Sequence, residues 1–221
     1  KARIVYLGGT ATNKDICKLQ TMKLAPKLAP FAEPLLFVEG QHLCAEDNSQ
    51  VPTMRQFFGE DAVLKEFAAV KIDEDGRRWY PTMDEACEYL ERELGRLAPV
   101  DAIVGFSQGA NFTSMLLARA LKRRRGAVQP PRCAVLICPM RPGWIRRAPE
   151  LFDAPIHTPT LIVRGATDDF AGAGPDGLAE AFASAERAEH PEGHRPMPAG
   201  KEAVQAHVAR IADFVARHCT L

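Results

Sequence analysis

The sequence predicts an α/β fold in which a mostly parallel central sheet of about six strands carries helices on both faces. Short apolar runs alternate with segments of helical periodicity along the chain, and this alternation is typical of strand–helix–strand units. The apolar runs have hydrophobic residues on both sides of the expected strand. Strands of that kind are covered by helices above and below, as in a parallel sheet.

The strands of this sheet are predicted from six short apolar runs bounded by turn residues. In chain order they are residues 2–7 (ARIVYL), 34–39 (PLLFVE), 100–106 (VDAIVGF), 133–138 (CAVLIC), 159–164 (PTLIVR) and a weaker one near 186–190.

Two helices are predicted from one-sided apolar stripes. Residues 82–85 (TMDE) have the form of a capping box, in which the side chain of Thr82 caps the first turn. The helix that follows places on one face Ala86, Leu90, Leu94 and Leu97. The last helix, at about residues 200–218, places on one stripe Val204, Val208, Ile211 and Val215.

A third helix is predicted over residues 108–122, which are mostly small and apolar. It runs into the basic sequence 122–125 (KRRR), followed by Gly126. Cations in the last turn are favoured by the helix dipole, and glycine is common directly after a helix. We therefore interpret the basic run as a helix end rather than as a binding patch.

Residues 40–80 do not follow the alternation of strands and helices. Connections of this length are uncommon in compact domains and often form lids or binding loops. The segment carries five aromatic residues, Phe57, Phe58, Phe67, Trp79 and Tyr80. We predict a single domain over residues 1–221 with a lid or insert at about 40–80. A small satellite cluster packed on the domain is the alternative, and the two interpretations are compatible.

Charge and composition argue against several classes of protein. Lys plus Arg number 28 and Asp plus Glu number 28, so the formal net charge is zero. This balance argues against a dedicated nucleic-acid or anionic-membrane binder. No stretch reaches the roughly 18 apolar residues that a membrane span needs. Residues 1–7 are typical of a strand and not of a signal peptide.

The cysteines indicate a reducing compartment. They are scattered, at Cys17, Cys44, Cys87, Cys133, Cys138 and Cys219. No Cys pair or Cys/His cluster has the spacing of a zinc site. We therefore expect free thiols and a cytoplasmic protein with no metal and no cofactor. The sequence does not indicate an oligomeric state.

The strongest local signal is residues 105–109 (GFSQG), which match the G-x-S-x-G motif. The motif closes a predicted strand and opens a predicted helix, which is the setting of a nucleophile elbow. Ser107 would stand at the carboxyl end of the strand, above a helix N-terminus that favours developing negative charge. The motif predicts the α/β-hydrolase fold with Ser107 as nucleophile. A plain strand-to-helix turn is the alternative.

A serine nucleophile needs a base, and in this fold the partners follow in the order Ser, then Asp or Glu, then His. Asp168 lies in residues 165–169 (GATDD), after the fifth predicted strand. His194 lies in residues 191–196 (PEGHRP), before the last helix. We predict His194 as general base and Asp168 as the carboxylate that orients it.

Other residues of the same types are rivals for these roles. Asp169 is interpreted as a loop or capping carboxylate. His190 is the serious rival for the base, but it is expected to end the sixth strand. The remaining histidines either precede Asp168 or lie in the last helix: His42, His157, His207 and His218.

An oxyanion hole needs two N–H donors aimed at one oxygen. One comes from the residue after the nucleophile, here Gln108. The other normally comes from the loop after an early strand, and residues 7–10 (LGGT) occupy that place. We predict the Thr10 N–H as this donor and Gly9 as a substrate contact. An ordinary turn and a nucleotide-binding loop are alternatives, although neither G-x-G-x-x-G nor Walker A is matched.

With these motifs the chain resembles the FSH family of small serine hydrolases. The resemblance covers nearly the whole chain and rests on RIVYLGGTATN, FVEG, RRWY, GFSQGA, GATDD and HPEGHRP. It implies an esterase or thioesterase without cofactor, with the triad Ser107, Asp168 and His194. The family usually has His-Gly where this chain has Gly8-Gly9, and Gly where it has Glu192.

These residues predict hydrolysis of carboxylic esters of short to medium acyl chains through an acyl-enzyme intermediate. The substrate would be a small-molecule ester or thioester. A thioesterase is one alternative, and a non-catalytic binding protein of the same fold is another. The acyl pocket is expected to be apolar, with walls from residues 40–80 and 139–145 (PMRPGWI). In the second wall Met140 and Trp144 are the predicted substrate contacts.

Overall fold

The computed structural model describes residues 1–122, 129–170 and 177–220. Its strands are β1 (Ile4–Leu7), β2 (Leu36–Val38), β3 (His42–Leu43), β4 (Lys65–Glu66), β5 (Lys71–Ile72), β6 (Arg78–Trp79), β7 (Ala102–Phe106), β8 (Cys133–Ile137), β9 (Thr160–Gly165) and β10 (Ala185–His190). Its helices are α1 (Lys14–Thr21), α2 (Ala25–Leu28), α3 (Val51–Phe58), α4 (Met83–Leu97), α5 (Gln108–Lys122), α6 (Trp144–Arg147), α7 (Gly177–Glu180) and α8 (Lys201–Cys219), with a 3-10 turn at Pro149–Leu151.

Six strands form the central sheet, in the order β10-β9-β8-β7-β1-β2. All neighbouring pairs in it are parallel. This confirms the predicted α/β fold and its mostly parallel sheet of about six strands. Because the carboxyl ends of parallel strands meet at one edge, the loops after β1, β7, β9 and β10 open on the same side of the molecule.

Helices cover both faces of the sheet, which explains why its strands are apolar on both sides. On one face, Leu7 belongs to the same core cluster as Leu90 of α4 and Phe112 of α5. On the other face, Tyr6 clusters with Ile211 of α8. Successive residues of β1 therefore enter two different hydrophobic layers.

The stripes predicted for two long helices are confirmed. The buried residues of α4 include Ala86, Leu90 and Leu94. Those of α8 include Val208, Ile211 and Val215. The basic run Arg123–Arg125 lies outside the described residues, so its interpretation as a helix end stays a prediction.

The predicted capping box at the start of α4 is wrong. Thr82 is the N-cap residue, but its side chain makes no capping hydrogen bond. Its backbone, with φ −103° and ψ 35°, departs from the extended conformation that directs a capping oxygen to the first turn. Asp84 and Glu85 still place negative charge in that turn, where the helix dipole favours it.

The segment 40–80 contains α3 and two small antiparallel strand pairs, β3 with β4 and β5 with β6. Phe67 and Tyr80 are buried and pack against Phe112, with ring centroids 5.8 and 4.8 Å from it. Phe57 and Phe58 are exposed. The segment is thus partly built into the core, and its action as a lid stays a prediction.

A separate cluster joins this segment to the start of the chain and contains Ala11, Ile16, Cys44, Val51 and Leu64. This is the satellite packing that the sequence left open. Among the described residues, the helices include none that combines the length and apolar character of a membrane span.

Candidate active site

Ser107 lies in the sharp turn between β7 and α5, with a positive φ of 52°. Non-glycine residues seldom adopt this conformation, and it is held here by close backbone packing. A Cβ atom at Gly109 would lie 2.1 Å from the carbonyl oxygen of Leu7. A Cβ atom at Gly105 would lie 2.6 Å from the Gly109 oxygen. The two glycines of the motif thus allow the first turn of α5 to lie against β1 and β7.

The structure brings the three predicted triad residues together. His194 Nε2 lies 2.8 Å from Ser107 Oγ, and His194 Nδ1 lies 2.9 Å from Asp168 Oδ2. An imidazole that carries its proton on Nδ1 donates to the carboxylate and accepts the hydroxyl proton at Nε2. This arrangement allows the imidazole to remove the serine proton.

Asp168 is held as an anion. Its side chain is fully buried, and its Oδ1 accepts a hydrogen bond from the Phe170 N–H at 2.9 Å. Burial by itself raises the pKa of Asp168, but the hydrogen bond from His194, its charge, the Phe170 N–H and the Cys138 thiol lower this pKa overall. Asp169, in contrast, is exposed.

The acid loop and the base loop meet backbone to backbone. A Cβ atom at Gly165, the last residue of β9, would lie 2.2 Å from the Gly193 carbonyl oxygen. The Thr167 N–H donates to the Glu192 carbonyl at 3.2 Å, and the Ala166 N–H donates to the His190 carbonyl at 2.8 Å. These contacts place Asp168 and His194 within hydrogen-bond distance.

His190, the rival base, points elsewhere. It ends β10, as predicted, and is buried with its ring against His207, at 5.4 Å between centroids. Its Nε2 lies 3.6 Å from the Cys138 sulfur. Burial lowers the pKa of His190, so its neutral form is favoured.

The predicted oxyanion residues flank the serine. A Cβ atom at Gly9 would lie 3.1 Å from the Ser107 Cβ, so the loop after β1 passes directly beside the nucleophile. Within the described residues, the backbone N–H groups of Thr10 and Gln108 donate to no protein acceptor. Such N–H groups are available to an oxyanion.

The side chain of Gln108 has a further role that its motif did not indicate. It is fully buried; its Oε1 accepts from the Phe67 N–H, and its Nε2 donates to the Ala68 carbonyl, both at 2.7 Å. It therefore joins the segment 40–80 to the elbow.

The two predicted wall residues differ in position. Met140 is 7% exposed, and its N–H donates to Asn111 Oδ1 at 3.0 Å. Trp144 is fully buried, with its ring 6.1 Å from that of Tyr80. This position favours Trp144 as support beneath the wall over direct contact with substrate.

Sequence reasoning missed several neighbours of the triad. The His194 ring packs against Phe170 and Phe106, at centroid distances of 4.7 and 5.2 Å. Cys138, which follows β8 with φ 47°, places its thiol beside Asp168. Its position at the end of a predicted strand was the available signal.

Cys138, Asp168 and His194 also offer donor atoms within 4.8 Å of one another, a set that could hold a metal ion. Two observations favour a role of these residues in proton transfer over metal binding. Asp168 and His194 already bond to each other, and burial raises the pKa of the Cys138 thiol to about 12, so the thiolate ligand is disfavoured.

Comparison with known proteins agrees with this geometry. The profile of the serine hydrolase (FSH1) family matches residues 1–207. The chain belongs to this family. It is similar to the esterase FPY3 of Fusarium mangiferae, with 27% identity over 75% of this chain and 74% of that protein. It is also similar to the human esterase OVCA2, with 28% identity over 71% of this chain and 76% of that protein.

Solved structures show the same fold for this FSH1-family hydrolase. The Bacillus cereus carboxylesterase aligns with a TM-score of 0.62 at 20% identity, over 99% of this chain and 89% of that one. Arabidopsis thaliana SOBER1 aligns with a TM-score of 0.63 at 16% identity, over 98% of both chains. The protein thus has the α/β-hydrolase fold and is a serine hydrolase of this family, as the sequence predicted.

Proposed function

We propose that the enzyme cleaves carboxylic esters through an acyl-enzyme formed on Ser107. The observation that carries this proposal is the chain of contacts from Ser107 Oγ to His194 and from His194 to Asp168, at 2.8 and 2.9 Å. His194 takes the hydroxyl proton as Ser107 attacks the ester carbonyl, and then gives it to the departing alcohol. Water, activated by the same imidazole, releases the acid and restores the serine.

The developing oxyanion is stabilised by the backbone N–H groups of Thr10 and Gln108. The support for this assignment is the contact of Gly9 with Ser107 and the absence of other acceptors for these N–H groups in residues 1–122, 129–170 and 177–220. Asp168 holds the imidazole in its working tautomer and stabilises the imidazolium.

The nucleophile is tested by covalent labelling. A fluorophosphonate should label the parent once, and Ser107→Ala should neither label nor hydrolyse esters above a residual level. Ser114→Ala, which removes a buried serine of α5, is the matched control and should label like the parent. Stoichiometric labelling of Ser107→Ala would refute the assignment.

The proposed substrates are small esters with acyl chains of about four to ten carbons, since each buried methylene contributes about 0.8 kcal/mol until the pocket is full. We further propose that the enzyme works in the cytoplasm and has no nucleic-acid partner. The support is the set of six cysteines, most of them buried and none in a disulfide within the described residues, and a net charge of zero.

A further inference from the structure

Arg78 is fixed beside the active site by its own backbone. It lies on β6; its N–H donates to the Arg141 carbonyl at 3.0 Å, and its carbonyl accepts from the Gly143 N–H at 2.6 Å. These bonds join Arg78 to the loop that carries Met140. The main chain of Arg78 therefore has a defined position next to the expected pocket wall.

One aromatic ring separates Arg78 from the catalytic base. The guanidinium carbon lies 5.0 Å from the centroid of the Phe170 ring, and one of its nitrogens, Nη1, donates to the Phe170 carbonyl at 3.1 Å. The same ring packs against His194 at 4.7 Å. Arg78 and the catalytic base thus contact the same aromatic ring.

The charge of Arg78 has no ionic partner among the described residues, whereas three nearby arginines have one. Arg77 and Arg146 both pair with Asp75, at 2.9 and 3.0 Å, and Arg147 pairs with Asp73 at 2.9 Å. Asp168 interacts electrostatically with Arg78, but its carboxylate oxygens already accept hydrogen bonds from His194 and from the Phe170 N–H.

Arg78 is also half-buried, so water compensates its charge only in part. Burial lowers its pKa, because loss of hydration disfavours the cation. Arginine nevertheless stays protonated in proteins, and a poorly hydrated cation gains most from a counter-anion. Of its five N–H donors, only one has a protein acceptor in the part of the chain that the structure describes.

A second arginine without a carboxylate partner among the described residues lies next to Arg78. It is Arg141, which donates to the backbone carbonyl of Asp75 rather than to a carboxylate. Two neighbouring cations of this kind favour the binding of an anion.

We propose that Arg78 binds a carboxylate of the substrate, so that the preferred esters carry a second, free carboxylate, as in a half-ester of a dicarboxylic acid. The guanidinium fork matches a carboxylate with two parallel hydrogen bonds. The inference rests on the proposed function, since the bound ester must reach Ser107. The chemistry is unchanged: the ester bond is cleaved, and the second carboxylate takes no part.

The test compares esters that differ only in this charge. On the acyl side, the pair is the 4-nitrophenyl half-ester of glutarate and 4-nitrophenyl valerate. On the alcohol side, the pair is 4-carboxyphenyl valerate and 4-carbamoylphenyl valerate. The parent should prefer the anionic member of one pair in kcat/KM, and that pair identifies the side of the ester that Arg78 holds.

Arg78→Gln should lower kcat/KM for the preferred anionic ester about 10- to 100-fold, the worth of hydrogen bonds to a charged group. The same variant should keep its kcat/KM for neutral esters within about threefold, and Arg78→Lys should restore part of the preference. Arg147→Gln, which removes a neighbouring arginine that has its own carboxylate, is the matched control and should keep the preference.

Two results would overturn the proposal. One is a parent that does not prefer the anionic member of either pair. The other is an Arg78→Gln variant whose kcat/KM falls equally for anionic and neutral esters, which would mean that Arg78 only supports Phe170 and His194. If the parent neither cleaves the neutral esters nor labels with a fluorophosphonate, the proposed function fails as well. Activity on the neutral esters therefore distinguishes failure of the Arg78 proposal from failure of the proposed function.

Discussion

Two adjacent carboxylates, Asp168 and Asp169, show how strongly the environment of a single residue decides its chemistry. Asp168 has a fully buried side chain bonded to His194, whereas Asp169 is exposed. Only a carboxylate in the first setting can orient an imidazole and stabilise its charged form.

We therefore expect Asp168→Asn to lower kcat by about 10³- to 10⁴-fold, since the amide favours the wrong imidazole tautomer. Asp169→Asn, the matched control, should stay within about threefold of the parent. Steady-state kinetics on one neutral ester checks both. The reverse ranking of the two variants would exclude Asp168 as the orienting residue.

At this scale the sequence predicted the residues whose signals are local. Ser107 lies in a motif, and Asp168 and His194 follow in a chain order typical of the fold; the structure places all three in contact. Arg78 and Phe170 could not be predicted, because their positions depend on segments that meet only in the folded chain.

At the scale of elements, the side chain of Gln108 connects α5 to the segment 40–80. Its two hydrogen bonds satisfy the Phe67 N–H and the Ala68 carbonyl, both in a buried place. The segment therefore depends on one amide for part of its attachment.

Gln108→Met keeps the volume but leaves these backbone groups unpaired, which we expect to cost about 2 to 5 kcal/mol. Limited proteolysis should then cleave within residues 40–80 faster than in the parent. Gln205→Met, an exposed position on α8, is the control and should change neither stability nor cleavage. Equal protease resistance in Gln108→Met and the parent would contradict this role.

A second element contact predicts a dependence on pH. His207 of α8 is buried and donates from Nε2 to the Pro196 carbonyl at 3.1 Å, next to the base loop. Burial lowers the pKa of His207 to about 4 from 6.5. Between these values the unfolded chain binds a proton that the folded chain does not, so stability falls as pH falls from 6.5 to 4.

His207→Gln cannot titrate and still offers an N–H donor. The free energy of unfolding of the parent should therefore drop about 2 to 3 kcal/mol more than that of the variant over this range, at about 1.4 kcal/mol per pKa unit. Denaturant titrations at the two ends of the range measure this difference. His157→Gln, an exposed histidine, should behave like the parent. Equal pH dependence in all three proteins would contradict the assignment.

The sequence predicted the elements whose hydrophobic periodicity is strong. It failed at a helix cap, which depends on local backbone geometry. All six strands of the sheet were found, because apolar runs identify buried strands. The cap at Thr82 failed because a capping hydrogen bond depends on backbone angles that the letters TMDE do not fix.

For the whole molecule, the order of strands in the sheet determines which loops lie on each side of the nucleophile. β7 lies between β1 and β8, so the nucleophile has the oxyanion loop on one side and the acid and base loops on the other. This order could not be read from the chain, because parallel strands are joined by crossovers whose pairing is set by tertiary packing.

A chain of 221 residues with this architecture is expected to hold a short acyl pocket rather than a long tunnel. Across an ester panel, kcat/KM should rise about fourfold per methylene from acetate and fall beyond about ten carbons. A thioester of the same chain tests the alternative leaving group. A flat profile, or a rise that continues to long chains, would refute the short pocket.

Met140 offers a variant for the same panel. Met140→Ala should move the optimum to longer chains by about one to two carbons, because it deepens the pocket by a few methylene volumes. Met22→Ala, which removes an exposed methionine at the end of α1, should leave the optimum in place. An unchanged optimum in Met140→Ala would remove Met140 from the pocket wall.

The contact between Gly165 and the Gly193 carbonyl restricts which sequences can encode this enzyme. Any side chain at position 165 would push the two loops apart and separate acid from base, however well the new residue suited a strand. Its tolerance to substitution is therefore set by the meeting of the two loops and not by the preferences of the strand that it terminates. In a saturation library selected for turnover, glycine alone should remain at this position.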